Sequence, residues 1–334
     1  MILDGQRLYD EPIACDGLLI VGDPHVTSKR PGRRTDANWP DPVLNKLQAC
    51  ADVARERNLY PVFLGDLLDE PVERNEALKT RLIRILKAFP MIPLGNTGNH
   101  DIQNTALSDG DTLAMLAAGD NIDVANVSGP VCEFLVGGKR LGVGMTPYGQ
   151  EIPRDVTGLF PEADAVLWFT HHNIAFEKSY PKAVEPFEIL GCKLVVNGHI
   201  HYTQPPVRAG GTLWMNPGNI VRLSTDVMDH VPSAWILGGD GRMTPVELPH
   251  EKGVFDLTGR LVDAIHETEL VREKESAFVT LLQAETTTDM ARSSDGSLLR
   301  EELEAKFERD NTPERIRGPL RALLTEAAQR RSAA

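Results

Sequence analysis

The chain has 334 residues, 41% of them hydrophobic, with 48 acidic against 35 basic side chains and a net charge of −13. Such a length buries a substantial core, enough for one large domain and an appendage, and the acidic balance argues against broad, unspecific adhesion to nucleic acid, which needs phosphates neutralised by Lys and Arg. No stretch approaches the roughly 20 apolar residues that span a bilayer, the first residues lack the basic and apolar regions of a secretory signal, and Cys15, Cys50, Cys132 and Cys192 are scattered without Cys-x-x-Cys spacing. The expectation is a cytoplasmic protein, independent of membranes, whose cysteines are buried, reduced thiols.

In chain order, five short apolar runs each end in metal-ligand residue types. Leu18-Leu19-Ile20-Val21 leads into Gly22-Asp23-Pro24-His25, and Pro61-Val62-Phe63-Leu64 into Gly65-Asp66-Leu67-Leu68-Asp69. Met91-Ile92-Pro93-Leu94 precedes Gly98-Asn99-His100-Asp101, Val166-Leu167-Trp168-Phe169 precedes His171-His172, and Lys193-Leu194-Val195-Val196 precedes Gly198-His199-Ile200-His201. Continuous apolar runs of this length read as buried strands, and α/β sheets place their ligands beyond the carboxyl ends of such strands. One Asp-x-His would mean little; five strand ends finishing in Asp, Asn or His imply one polar cluster at a sheet edge.

Between the first motifs, residues 43–58 and 77–89 carry apolar side chains at helical spacing, and each bridges two ligand-bearing runs in βαβ fashion. Later the texture changes to hairpins: 131–136 turns at Gly137-Gly138 into 140–145, and 233–237 turns through 238–241 into 243–248. A catalytic domain is therefore expected over residues 1–249. Residues 250–334 are expected to form a helical appendage, with helices at 259–285, 298–309 and 313–331, a possible strand at 277–282 and an exposed loop at 286–296. Pro313 after Thr312 suits a helix start.

The order of the motifs resembles the calcineurin-like metallophosphoesterase superfamily: Asp-x-His, Gly-Asp-x-x-Asp, Gly-Asn-His-Asp/Glu, a lone His, then Gly-His-x-His. The resemblance implies a two-sheet β-sandwich flanked by helices and a pair of divalent ions that cleave phosphoric esters through a metal-activated water. It assigns Asp23, His25 and His201 to one ion, Asn99, His171 and His199 to the other, and Asp66 as the bridge. It makes His100 the proton donor to the leaving alkoxide. Asp101 then either orients the His100 ring or caps a helix, and Asp69 reads as a supporting or capping carboxylate rather than a ligand. His171 is preferred to His172, and Asn99 to Asn96, which repeats the Gly-Asn pair without the following His-Asp. Imidazole, carboxylate and amide donors without thiolate suit Mn²⁺, with Fe or Zn²⁺ as alternatives.

Lys29, Arg30, Arg33 and Arg34 form a basic Gly/Pro loop just past His25. It is either a solvated face or a grip on flanking phosphates of a polymer. The long insertion after Asp-x-His, the Gly-Asp-Leu-Leu-Asp-Glu-Pro wording and the helical tail most resemble SbcD-type repair exonucleases and their bacteriophage counterparts, which implies DNA as substrate and an ATPase partner docked on the C-terminal helices. The alternative activities are those of a small-molecule phosphatase or a cyclic-nucleotide phosphodiesterase. A non-catalytic scaffold is the third reading, disfavoured because no ligand of the pattern is missing.

Overall fold

The computed structural model describes residues 1–176 and 183–257, together with Glu304, Phe307, Arg317 and Arg321. The chain divides into two compact units, residues 1–258 and 259–334. In the second unit Arg321 grips Glu304 through two hydrogen bonds of 2.6 and 2.7 Å, and Phe307 is buried. The helices, strand and loop expected over 259–331 otherwise lie outside the described residues.

In the first unit β1 (Ile2–Asp4), β2 (Ile13–Cys15) and β3 (Gly17–Val21) lead into α1 (Asp41–Glu56). Then come β4 (Leu59–Phe63), α2 (Glu76–Leu86), β5 (Leu94–Asn96), α3 (Thr112–Ala118) and β6 (Asp123–Val127). A second run follows: β7 (Gly129–Val136), β8 (Lys139–Thr146), β9 (Ala165–Thr170), β10 (Leu194–Asn197), β11 (Gln204–Ala209) and β12 (Thr212–Asn216). The last pair is β13 (Ser233–Gly238) and β14 (Met243–Glu247).

These strands form two seven-stranded sheets, ordered β1-β6-β5-β4-β3-β13-β14 and β11-β12-β10-β9-β8-β7-β2. The α/β two-sheet architecture expected from the sequence is what the molecule shows. β3, β4, β5, β6 and β1 run parallel in one sheet; β8, β9, β10 and β12 run parallel in the other.

The apolar runs are continuous because their strands are buried on both faces. Side chains alternate along a strand, so Leu18 and Ile20 of β3 enter the core between the sheets while Leu19 and Val21 meet the helices. In the second sheet Leu167 and Phe169 of β9 face the inter-sheet core, whereas Val166 and Trp168 pack outward against Phe160, Ile189 and Trp214. α1 buries Val43, Leu44, Leu47, Cys50, Ala51 and Ala54 on one stripe, and Asn75 caps α2 by accepting a 3.1 Å bond from Leu78 N.

Two expectations need adjustment. Residues 91–93 are not part of a strand; β5 has three residues, because Pro93 lacks a donor for the ladder. Residues 250–257 stay with the first unit, where Thr35 N donates to Val254 O (3.0 Å) and Asp256 N to Arg33 O (2.8 Å). All four cysteines are free and buried. Among the described residues no helix is long and apolar enough to cross a membrane.

The packing beside β9 supplies a direct test. A Cβ at Gly144 would stand 2.1 Å from the Trp168 ring, which is 1% exposed and fixed by a 2.8 Å bond from Nε1 to Thr146 Oγ1. Gly144→Ala is expected to lower stability by about 1–3 kcal/mol through overpacking, read as a lower urea midpoint. An unchanged midpoint would mean that the two strands have room to separate.

Candidate metal centre

The five motifs sit just beyond the carboxyl ends of β3, β4, β5, β9 and β10, three strands of one sheet and two of the other. Reaching one another from there requires unusual backbone. Six non-glycine residues among those described have positive φ, and four of them are Asp23 (30°), His25 (46°), Asp66 (47°) and His199 (70°). Each such conformation costs on the order of 1–3 kcal/mol and persists where surrounding structure imposes it. The glycines of the motifs give the side chains room: a Cβ on Gly98 would lie 2.1 Å from Asp66 Oδ1, and one on Gly65 2.4 Å from His171 Nδ1.

Asp66 is 1% exposed and touches nearly everything in the cluster. Its Oδ1 accepts a 2.8 Å bond from His100 N, while Oδ2 lies 3.1 Å from His171 Nε2 and 3.6 Å from His25 Nε2. Two donor groups adjoin it: it belongs to one, and His25 of the other lies beside its Oδ2. In one, Asp23, His25 and His201 bring ligand atoms within 4.8 Å of one another; in the other, Asp66, His171 and His199 do the same. Asn99 joins the second group, its Oδ1 2.9 Å from His199 Nδ1.

The unmet valences are those a cation would satisfy. His171 Nδ1 donates to Leu64 O (3.0 Å), which leaves Nε2, beside the Asp66 carboxylate, as the ligand atom of the ring, buried without a hydrogen bond. Asp23 Oδ2 accepts from His199 N at 2.7 Å, leaving Oδ1 buried without a partner. The ring nitrogens His25 Nε2 and His201 Nε2 face each other at 3.0 Å. Buried polar groups are ordinarily paired, so the residues fit a bound metal pair.

Electrostatics agree. Burial pushes the Asp23 carboxyl up, to about 6, with Asp66 adding to the rise against His171 and His25. Burial also acts on Asp66, but His171, His25 and His100 outweigh it and hold that carboxyl far below its ordinary range. Burial would lower His171, yet Asp66 and Asp23 prevail and raise it to about 9. His199 and His201 are pushed down to about 4 and about 3, by burial first and then by His171 and His25 respectively. The Asp66 and Asp23 carboxylates and the neutral His199 and His201 imidazoles are thus donors near pH 7, and an entering ion must displace the His171 proton.

The members of two ambiguous pairs differ in placement. His172 turns away, Nε2 donating to Gln150 O (2.8 Å), while His171 faces Asp66. Asn96 braces β8 by donating to Thr146 O (2.9 Å), while Asn99 lies in the cluster.

Asp101 requires a correction. It neither orients His100 nor caps a helix: fully buried, it accepts from Leu68 N (3.2 Å) and Gly98 N (2.9 Å), tying together two motif loops. Burial and Asp66 push its carboxyl up to about 7 against those two bonds. Asp69 does the orienting instead. His100 Nδ1 donates to Asp69 O at 2.7 Å, and Asp69 Oδ1 lies 3.2 Å from His25 Nδ1. His25, Asp69 and His100 form a third possible donor group, but a backbone carbonyl already engages His100 Nδ1.

The basic loop also departs from expectation. Arg34 is 4% exposed; its Nε and Nη2 clasp Asp36 at 2.7 and 2.8 Å, and its Nη1 donates to Arg222 O. It is a buried brace whose guanidinium is committed within the fold. Lys29, Arg30 and Arg33 are exposed, contacting Glu70, Asp36 O and Asp256 O. Tyr148 was not anticipated: its ring centroid lies 5.6 Å from that of His199 and 6.3 Å from that of His171. The signal available was an aromatic residue in a Pro-Tyr-Gly turn directly after β8.

No family model and no curated protein matches the chain. Among solved structures it is similar to a 5'-nucleotidase precursor from Thermus thermophilus, at 13% identity and a TM-score of 0.40, covering 70% of this chain and 54% of that one. It is also similar to a hypothetical protein from the same organism, at 16% identity and a TM-score of 0.41, covering 70% of this chain and 100% of that one. The chain thus spans about half the length of the nucleotidase precursor, and likeness of this degree adds nothing to the case made by the geometry.

Because Asp66 belongs to one donor group and adjoins His25 of the other, Asp66→Asn should weaken both metal sites together while nearly preserving side-chain size. Bound Mn²⁺, counted by calorimetry and elemental analysis, is expected to fall from about two per chain, the complement of a two-metal site, toward none. Retention of two ions at unchanged affinity would remove Asp66 from its shared position.

Proposed function

We propose that the chain is a calcineurin-like metal-dependent phosphoesterase working with two divalent ions, Mn²⁺ in preference to Fe or Zn²⁺. The observation that carries this reading is the buried Asp66 carboxylate, which belongs to one donor group and lies 3.6 Å from His25 of the other, with Asp23, His25, Asp66 and His199 on left-handed backbone. Asp23, His25 and His201 would hold one ion and Asn99, His171 and His199 the other, with Asp66 common to both. The chemistry supplied by such a pair is activation of water and neutralisation of charge on phosphoryl oxygens.

The chain's own side chains supply the rest. His100 is at the mouth of the cluster, 41% exposed, its ring T-shaped against His25 at a centroid distance of 4.8 Å. Since Nδ1 donates to Asp69 O, Nε2 is the nitrogen free to carry a proton to a departing alkoxide. Asp66 holds the His100 backbone in place, so the shared carboxylate also fixes the position of the acid.

The substrate class we favour is a DNA phosphodiester, supported by Lys29, Arg30 and Arg33, exposed on the loop after His25. A cyclic nucleotide or small phosphate ester is the competing substrate. Docking of an ATPase by residues 250–334 remains a proposal that falls mostly outside the described residues.

Two measurements test this function. Neutralising Lys29, Arg30 and Arg33 together should weaken DNA binding and flatten its log–log salt dependence by about one unit per lost phosphate contact, while a small aryl phosphodiester is turned over as before. An unchanged slope would make the loop a solvated face. His100→Ala should retain its metals yet hydrolyse an alkyl phosphodiester roughly 10²–10⁴-fold more slowly, with a much smaller loss on a nitrophenyl ester, whose leaving group needs little protonation. Equal losses on both would exclude acid catalysis by His100.

A further inference from the structure

Away from the metal cluster, a cavity of about 500 Å³ is lined by Arg34, Asp36, Lys46, Arg222, His250 and Glu251, among others. Its charges are unequally matched. Arg34 and Asp36 satisfy each other. Lys46, on the first turns of α1 and 4% exposed, has three ammonium hydrogens and gives one of them to Pro42 O at 2.9 Å. Arg222, 7% exposed, donates Nη1 to Met228 O (2.9 Å) and Nη2 to Glu251 O, while its Nε is buried with no partner. The hydrogen bonds that these two cations make among the described residues end on carbonyl oxygens, which carry no net charge, while carboxylates act on them only through space.

Burying a cation without a counter-ion is costly, because the solvation it loses is not replaced by an opposite charge. Lys46 registers the strain: burial first, then Arg34 and Arg222, push its ammonium down to about 8. Asp36 is already committed to Arg34, and Asp36, Glu251 and Asp229 offset the two cations only through space, without an ion pair among the described residues, so an anion from outside the fold would complete the pairing. Two unmatched cations call for an anion of about two charges with acceptor oxygens. The volume lies within the roughly 300–1,000 Å³ range of small-molecule sites and leaves room for an organic group beside the anion.

We propose that this cavity binds the phosphoryl dianion of a phosphomonoester such as a nucleotide, with the Lys46 ammonium as its donor and the Arg222 guanidinium as the second positive charge. The site lies apart from the metal cluster and does not depend on the function assigned to that cluster.

The test uses the full chain stripped of metal by a chelator, so that phosphate cannot bind through ions, and titrates it calorimetrically with inorganic phosphate, 5'-AMP and adenosine. Phosphate and 5'-AMP should bind and raise Tm, and adenosine should do neither. Tighter binding of 5'-AMP than of phosphate assigns the ester, equal binding assigns the free ion, and both support an anion site. Lys46→Met should weaken binding roughly tenfold or more, as expected for loss of a charge-assisted contact, and Lys46→Arg should largely keep it. Lys46→Met should also fold with an unchanged or higher Tm in phosphate-free buffer, because it removes an unmatched buried charge. Absence of phosphate binding to the wild type, or equal binding by Lys46→Met, would overturn the proposal. A Lys46→Met chain that fails to fold would overturn it too, since the ammonium would then be holding the structure together.

Discussion

The Asp66 carboxylate is the interaction around which the polar edge of this fold is arranged. One oxygen accepts the His100 amide and the other faces His171 and His25, so motifs following β3, β4, β5 and β9 meet at a single side chain. Holding that anion in a dry interior demands compensation, which comes from imidazoles brought from both sheets. Its position is secured by the backbone, with Asp66 itself at φ 47° and Gly98 close enough that any side chain there would collide with it. Asp101 then ties the Leu68 and Gly98 amides together behind the site. The strain is local, and the two cores on either side of the first sheet provide the stability that tolerates it.

The loop after His25 shows the same economy applied to charge. Its four cations are adjacent in sequence but have different physical roles. Arg34 turns inward to pair with Asp36 and to stack within 5.4 Å of Trp39 and 5.3 Å of Phe255, while its neighbours stay in solvent. That inward turn joins the loop to residues 250–257 and forms one wall of the cavity that contains Lys46 and Arg222.

Much of this was legible in the sequence, for identifiable reasons. Strands buried on both faces read as uninterrupted apolar runs, so β3, β4, β9 and β10 could be placed within a residue or two, and the residues just beyond them could be named. The helical stripes of α1 and α2 were equally plain. What stayed hidden depends on direction rather than residue type. Whether Asp69 or Asp101 supports His100 turns on backbone placement, since the Asp69 carbonyl accepts from His100 while the Asp101 carboxylate points into the loop amides. Arg34 could not be separated from Arg33, because the partner that buries it, Asp36, matters through its rotamer. Tyr148 joins the site from a turn whose composition marks only a turn. The left-handed conformations of Asp23, His25, Asp66 and His199 leave no sequence signature, since Asp and His tolerate that region but do not require it.

The central claim is that one buried carboxylate organises two metal sites. The most direct measurement is anomalous diffraction from crystals equilibrated with Mn²⁺. The account predicts two peaks about 3.5–4 Å apart, with Asp66 between them, Asp23, His25 and His201 around one, and Asn99, His171 and His199 around the other. A single peak, or an ion held by His25, Asp69 and His100 instead, would contradict it.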